Sequence, residues 1–284
     1  MAHYEEAIGH FEQQLATLEQ VSTHTALIDK GRAFGNLGDC YDALGDLDEG
    51  VKCHEQHLAI GLKLKSCRDL ERAYRGLGHS HKQLGNLQQS LVCFEKRLVM
   101  AHELNNAEAK ASAYGELGHI HASLGNFEQA ISCLEHQLSI ARELNDKVGE
   151  SDAVCGLGQV YQQKGDYVAA LQYHQTDLDL GTSLELTPAQ TRACGNLASV
   201  YEAMGNLSDA IRYQEQHLSI ATTSNDKVAK ISAFTSLGKS FLPITYFLLI
   251  LLFYYFIVII TKYIRLCLDC WPKGTFQSYA APAV

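Results

Sequence analysis

The sequence predicts an all-α fold: a solenoid of stacked helix pairs followed by a hydrophobic segment read as a candidate transmembrane helix. Three observations carry that expectation. "NLGDCYDALGD" (36–46) recurs as "GLGHSHKQLGN" (76–86), "ELGHIHASLGN" (116–126), "GLGQVYQQKGD" (156–166) and "NLASVYEAMGN" (196–206), 40 residues apart each time. Only four prolines occur in 284 residues, and proline is the residue a helix interior tolerates least. Residues 241–261 carry no charge in a chain of formal net charge −9.

Residues 1–25 read as a partial repeat, a second helix alone, because "YEEAIGHFEQQLATL" matches "FEQAISCLEHQLSIA". Residues 26–240 read as five full 40-residue repeats plus a half repeat. In the first helix of a unit, Ala113, Tyr114, Leu117, Gly118 and His121 fall at helical spacing on one side. Gly125 is placed as the left-handed residue after the helix end. Asn126 and Gln129 have the spacing of a capping box, as do Asp46 with Glu49 and Asn86 with Gln89. The second helix continues through Ala130, Ile131, Leu134, Leu138, Ile140 and Ala141. Gly38, Gly78, Gly118 and Gly158 lie inside first helices, where glycine costs about 1 kcal/mol relative to alanine. The offsetting gain is expected to be a close approach of the two helices of a unit, with Ala198 showing that one methyl fits.

The sixth first helix, "SAFTSLGKSF" (232–241), keeps register, but Thr245 stands where the next glycine is due. A solenoid lacking caps exposes apolar faces, so the expectation is an internal slice of a longer array.

Charge and cysteine usage narrow the function classes. An acidic surface repels phosphate backbones, which argues against nucleic-acid binding. Nine scattered cysteines and an acidic, amphipathic opening "MAHYEEAIGHFEQQL" read as a reducing, cytoplasmic body with free thiols.

The ladder of Leu-Gly, then Tyr, then Leu-Gly-Asn/Asp, then Ala and a closing Leu resembles the tetratricopeptide repeat (TPR) family. The 40-residue period and second helices such as "EQHLAI", "EHQLSIAREL" and "EQHLSIA" resemble its LGN-type adaptors. The resemblance covers about residues 1–241. It implies a right-handed superhelix whose first helices line a concave groove. It also implies a non-catalytic scaffold that holds a protein or peptide partner there, with cell division as a setting.

By register, the groove side chains are Arg32, Asn36 and Asp39; Arg72, Arg75 and His79; Glu116 and His119; Asp152 and Gln159; and Arg192 and Asn196, with Ser199 beside them. Arg32 with Asn36 and Arg192 with Asn196 stand four apart on one helix face. Each arginine can clamp a carboxylate while the asparagine holds a partner's backbone. The Arg-rich start and the Glu116/Asp152 middle suggest a partner carrying both charge signs.

Other motifs are weaker. "HSH" (79–81) and "HIH" (119–121) suggest zinc. Yet His81 and His121 occupy the slot of Tyr41, Tyr161 and Tyr201, and residues two apart do not share a helix face. Cys53, Cys93 and Cys133 recur where later units place Tyr173 and Tyr213, and read as small core residues. "CLDC" (267–270) has no second pair. Neither a phosphate-binding glycine motif nor a nucleophile motif is present, so no enzyme activity, cofactor, metal or small-molecule substrate is expected.

Three readings of 241–261 stay open: a tail anchor, an alternative or read-through terminus of a truncated product, and a buried helix. A 21-residue helix is roughly 31 Å long, against a hydrocarbon core of about 30 Å. Lys239, Lys262 and Arg265 flank both ends, so charge does not fix orientation. Residues 262–284 are expected to be a short disordered tail.

Overall fold

The computed structural model describes residues 2–21 and 23–241, and every regular element among them is an α-helix. In chain order these are α1 (Ala2–Leu18), α2 (His24–Leu44), α3 (Leu47–Leu64), α4 (Cys67–Gln83), α5 (Leu87–Glu103) and α6 (Ala107–Ser123). They continue as α7 (Phe127–Glu143), α8 (Lys147–Lys164), α9 (Tyr167–Ser183), α10 (Thr187–Ala203) and α11 (Leu207–Thr223), with α12 over 227–241. The five units are thus α2/α3, α4/α5, α6/α7, α8/α9 and α10/α11. α1 is a second helix before them, and α12 a first helix after them.

Each helix packs on its chain neighbours, and first helices of adjacent units also touch, as α2 with α4, α6 with α8 and α8 with α10. Second helices of adjacent units show no comparable contact among the described residues. That asymmetry curves the stack and puts the first helices on the inner wall.

Two kinds of turn repeat. After each first helix a glycine (Gly45, Gly85, Gly125, Gly165 and Gly205) takes φ of 76° to 86°. In the third unit the Gly125 amide donates to Ala122 O at 3.0 Å and the Asn126 amide to His121 O at 2.8 Å, the paired bonds of a Schellman turn. After each second helix a non-glycine does the same work: Lys65, Asn105, Asn145, Glu185 and Asn225, at φ of 48° to 56°. Asparagine tolerates this left-handed conformation through its short polar side chain. The sequence reading did not identify this second ladder.

The three expected capping boxes do not form. The Asp46, Asn86 and Asn126 side chains make no cap bond, and Glu49 pairs with Lys52 instead. These three residues have ψ of 61° to 67°, whereas Asp166 and Asn206, at ψ near 78°, do cap their helices. The residue closing one helix's Schellman turn is also the next helix's N-cap. Its backbone is held short of the extended conformation that aims the side chain at the N3 amide.

The expected membrane-crossing helix is also corrected: the described architecture ends with the solenoid. Among the described residues no helix is long and apolar enough to cross a membrane. Each of these helices carries charged residues. Of the segment 241–261, only Phe241 is described, as the last residue of α12. The remaining residues of that expectation, and the tail 262–284 with "CLDC", lie outside the described residues.

Apolar clusters join the second helix of one unit to the first helix of the next. Leu91 and Phe94 of α5 meet Leu117 and Ile120 of α6. Ile131 and Leu134 of α7 meet Leu157 and Val160 of α8, and Leu178 of α9 meets Cys194 and Leu197 of α10. The in-helix glycines face the second helix of their own unit. A Cβ at Gly118 would stand 2.7 Å from Leu134 Cγ, and one at Gly78 would stand 2.7 Å from Phe94. The expected close approach is therefore present, and Ala198, 2% exposed, fills the same place in the fifth unit.

The residue opposite this glycine is His54, Phe94, Leu134 and His174 in the first four units in turn. His174 is fully buried and neither ring nitrogen has a hydrogen-bond partner. Burial, reinforced by the charge of Arg192, pushes its pKa from the ordinary 6.5 down to about 4. The folded protein thus holds a neutral ring, while the unfolded chain takes up a proton as pH falls below about 6.5. The stability this ring contributes is present above that value and is lost as pH falls toward about 4. At about 1.4 kcal/mol per pH unit, the loss is on the order of 3 kcal/mol. His174→Leu, which copies Leu134, is expected to reduce the drop in melting temperature between pH 7 and pH 4.5. An unchanged drop would show that the acid sensitivity lies elsewhere.

Candidate functional site

The inner wall is built from one register of each first helix, and stacking turns many of its polar residues toward one another. Arg32 is largely exposed and pairs loosely with Asp29 on its own helix, at 3.7 Å. Arg72 reaches back one unit, donating to Asn36 Oδ1 at 2.6 Å and to Asp39 Oδ2 at 2.9 Å. Arg75, beside it, makes no ion pair or hydrogen bond among the described residues. Arg32 and Asn36 therefore do not act as one clamp here: Asn36 is committed to Arg72.

In the second and third units, Lys82 Nζ donates to Glu116 Oε2 at 2.7 Å, and His79 Nδ1 lies 4.0 Å from Glu116 Oε1. The His79 ring also stands edge-on to Phe94 at 5.2 Å. Burial alone would raise the Glu116 carboxyl, but the hydrogen bond and charge of Lys82 outweigh it and hold the pKa below its ordinary value. Burial, with the charge of Lys82, lowers the pKa of His119.

In the fourth and fifth units, Arg192 donates to Asp152 Oδ1 at 2.7 Å, to Ser151 Oγ at 3.0 Å and to Asp177 Oδ1 at 3.2 Å. Asn196 Nδ2 donates to Cys155 Sγ at 3.4 Å. The second expected clamp is thus also engaged internally. Between the third and fourth units the wall opens into a cleft of about 470 Å³, where Glu116, His119, Asp152, Gln159 and Arg192 come together.

The register argument missed residues that approach from the second helices. At one position in successive units stand His57, Arg97, Gln137, Asp177 and His217. Arg97, 4% exposed, donates to Glu71 at 2.8 Å and to Ser112 at 3.1 Å. Asp177 is fully buried and also accepts from Ser151 at 2.5 Å. A charged or polar side chain recurring in an otherwise apolar second-helix register was the available signal. Two further knots bind neighbouring units: Asp42 accepts from Ser80 at 2.9 Å with His54 at 3.2 Å. Their counterparts Glu202, Ser240 and Gln214 bond to one another at the other end of the array.

Of the three cysteines expected in the core, Cys53 is buried and Cys93 and Cys133 are half-buried, all as free thiols. Burial pushes Cys53 and Cys93 up to about 11 and raises Cys133, so these groups stay protonated at neutral pH. His81 and His121 stand in the Tyr slot, each with a buried, unpartnered Nδ1.

Sequence comparison decides what these stacked pairs are. Two family models, each described as tetratricopeptide repeat, match residues 109–180 and residues 33–68 with 193–228. The chain belongs to the tetratricopeptide-repeat family. No curated protein matches it. BtubC (BKLC) from P. vanneervenii shares the fold at TM-score 0.68 and 19% identity, over 78% of this chain and 92% of that one. A signal-transduction ATPase with numerous domains and a tetratricopeptide repeat sensor, from Pyrococcus horikoshii, matches at TM-score 0.69 and 20% identity. That match covers 84% of this chain but only 38% of the ATPase. A Rap protein complexed with competence and sporulation factor matches at TM-score 0.56 and 18% identity, over 84% of this chain and 70% of that one.

The two arginines differ sharply in what their removal leaves behind. Arg192→Ala would strand the buried Asp177 carboxylate, a loss of about 3–5 kcal/mol for a broken buried pair. Arg32→Ala removes an exposed pair worth roughly 0–1 kcal/mol. Thermal denaturation is expected to show a large drop for the first and little change for the second. Equal effects would contradict the structural role of Arg192.

Proposed function

We propose that this tetratricopeptide-repeat array is a non-catalytic scaffold that holds a segment of a protein partner along its inner wall. The carrying observation is the continuous face of first helices, with the 470 Å³ cleft opening on it between the third and fourth units. Arg75, His119 and Gln159 offer that face side chains with few internal commitments, whereas Arg72, Arg192, Asn36 and Asn196 serve mainly to lock units together. Arg32, Asp39, His79, Glu116 and Asp152 line the same face and contribute its charge. A Rap protein with a related fold, complexed with competence and sporulation factor, supports the reading of such an array as a receptor. We read the segments "LVCFEKRLV" and "AISCLEHQLSIAR" as resembling the array of tetratricopeptide repeat protein 28, a longer scaffold. On that resemblance we place the function in cell division, in the cytoplasm.

Site-specific photo-crosslinking in cells tests the groove directly. A photoreactive residue at Gln159, on the inner wall, is expected to trap a discrete partner band. The same residue at Glu95, on the second helix α5, is expected to trap none. Equal capture from both positions, or none from Gln159, would refute the groove reading.

A further inference from the structure

Successive units differ in one respect that bears on what the groove accepts. At the junction of the first and second units, Arg72 crosses to Asn36 and Asp39. Between the second and third, Arg97 joins Glu71 to Ser112. Between the fourth and fifth, Arg192 joins Asp152, Ser151 and Asp177. A guanidinium thus closes each of these three junctions.

The junction of the third and fourth units has no guanidinium in these registers: its own crossing pair, Arg142 to Glu150 at 2.9 Å, lies at the end of α7 with the arginine more than half exposed. The register place of Arg97 is taken by Gln137, and that of Arg72 and Arg192 by Asp152. The Gln137 Oε1 atom is buried and accepts no hydrogen bond. It lies close against Gly115, 2.8 Å from where a Cβ would stand, so even a methyl there would displace it. Gln137 and Asp152 both line the 470 Å³ cleft, together with Glu116 and, at its edge, Glu108 and Asp146. The one cation of the lining, Arg192, is already held by Asp152 and Asp177. A buried acceptor left unsatisfied is unfavourable, and a donor that reaches it recovers that loss.

We infer that this cleft seats a basic side chain of the partner, an arginine, which supplies from outside a guanidinium in the registers where Arg72, Arg97 and Arg192 supply one at the other junctions. The inference rests on the groove reading above and adds the chemistry of the residue it takes. A planar fork of five N–H donors suits acceptors spread over Glu116, Gln137 and Asp152 better than a point charge does. The acidic lining also favours a cation over the carboxylate that a basic clamp would take.

Selection of a phage-displayed random dodecapeptide library on the full chain tests this. The recovered peptides are expected to share an arginine at one position. Their affinity is expected to fall at least tenfold with Glu108→Gln plus Glu116→Gln, and to hold with Glu135→Gln plus Glu143→Gln, which removes the same charge from α7. Peptides without a basic residue whose binding is lost with Arg75→Glu would overturn the inference and leave the groove reading standing. Basic peptides weakened equally by both double variants would overturn it as mere attraction to an acidic protein. Recovery of no peptide would count against both readings.

Discussion

The structure depends on how closely the two helices of a unit can approach. At Gly78 and Gly118 the second helix presses a ring or a branched side chain to within 3 Å of where a Cβ would be. Removing the side chain from the first helix lets Phe94 and Leu134 fill the gap between units and reach the next first helix. Glycine inside a helix is unfavourable alone, so the repeat is stable only as a stack. Each unit completes its neighbour's core, which is why stability in such arrays is a sum over nearest-neighbour interfaces.

Apolar packing of this kind is alike at every junction and would permit units to slip or exchange. The polar residues break that equivalence. Asp42, His54 and Ser80 form a knot at one end; Glu202, Gln214 and Ser240 form another of different composition. Between them Arg97 and Asp177 are buried with partners supplied by two units each. The same registers give the inner wall its pattern: an engaged guanidinium at three junctions, and at the junction between the third and fourth units the unpartnered Gln137 oxygen in its place.

Much of this was legible from 40-residue spacing. The helix pairs, the leucine ladder and the glycine turns follow from local pattern, because 3.6-residue periodicity and left-handed glycine are properties of a short stretch of chain. Lateral pairing is not such a property. Arg72 reads as a free groove residue until α4 is laid beside α2, and only then do Asn36 and Asp39 come within reach. Gln137 escaped because it belongs to a second helix, and its importance appears only against Arg97 and Asp177. The capping boxes failed because sequence shows residue types and not ψ. The membrane expectation rested on a run of apolar residues that lies almost wholly beyond α12, and the described helices give it no support.

The most direct test of the account is the thermal stability of Gln137→Arg. This substitution copies Arg97 and places a guanidinium in the cleft that Asp152 and Glu116 also line. If the unpartnered Gln137 oxygen marks a place that a guanidinium fills, the variant melts at a higher temperature than the natural chain, with unchanged helicity. A lower melting temperature would contradict the account, because it would mean that the cleft does not offer a cation the acceptors its neighbours provide.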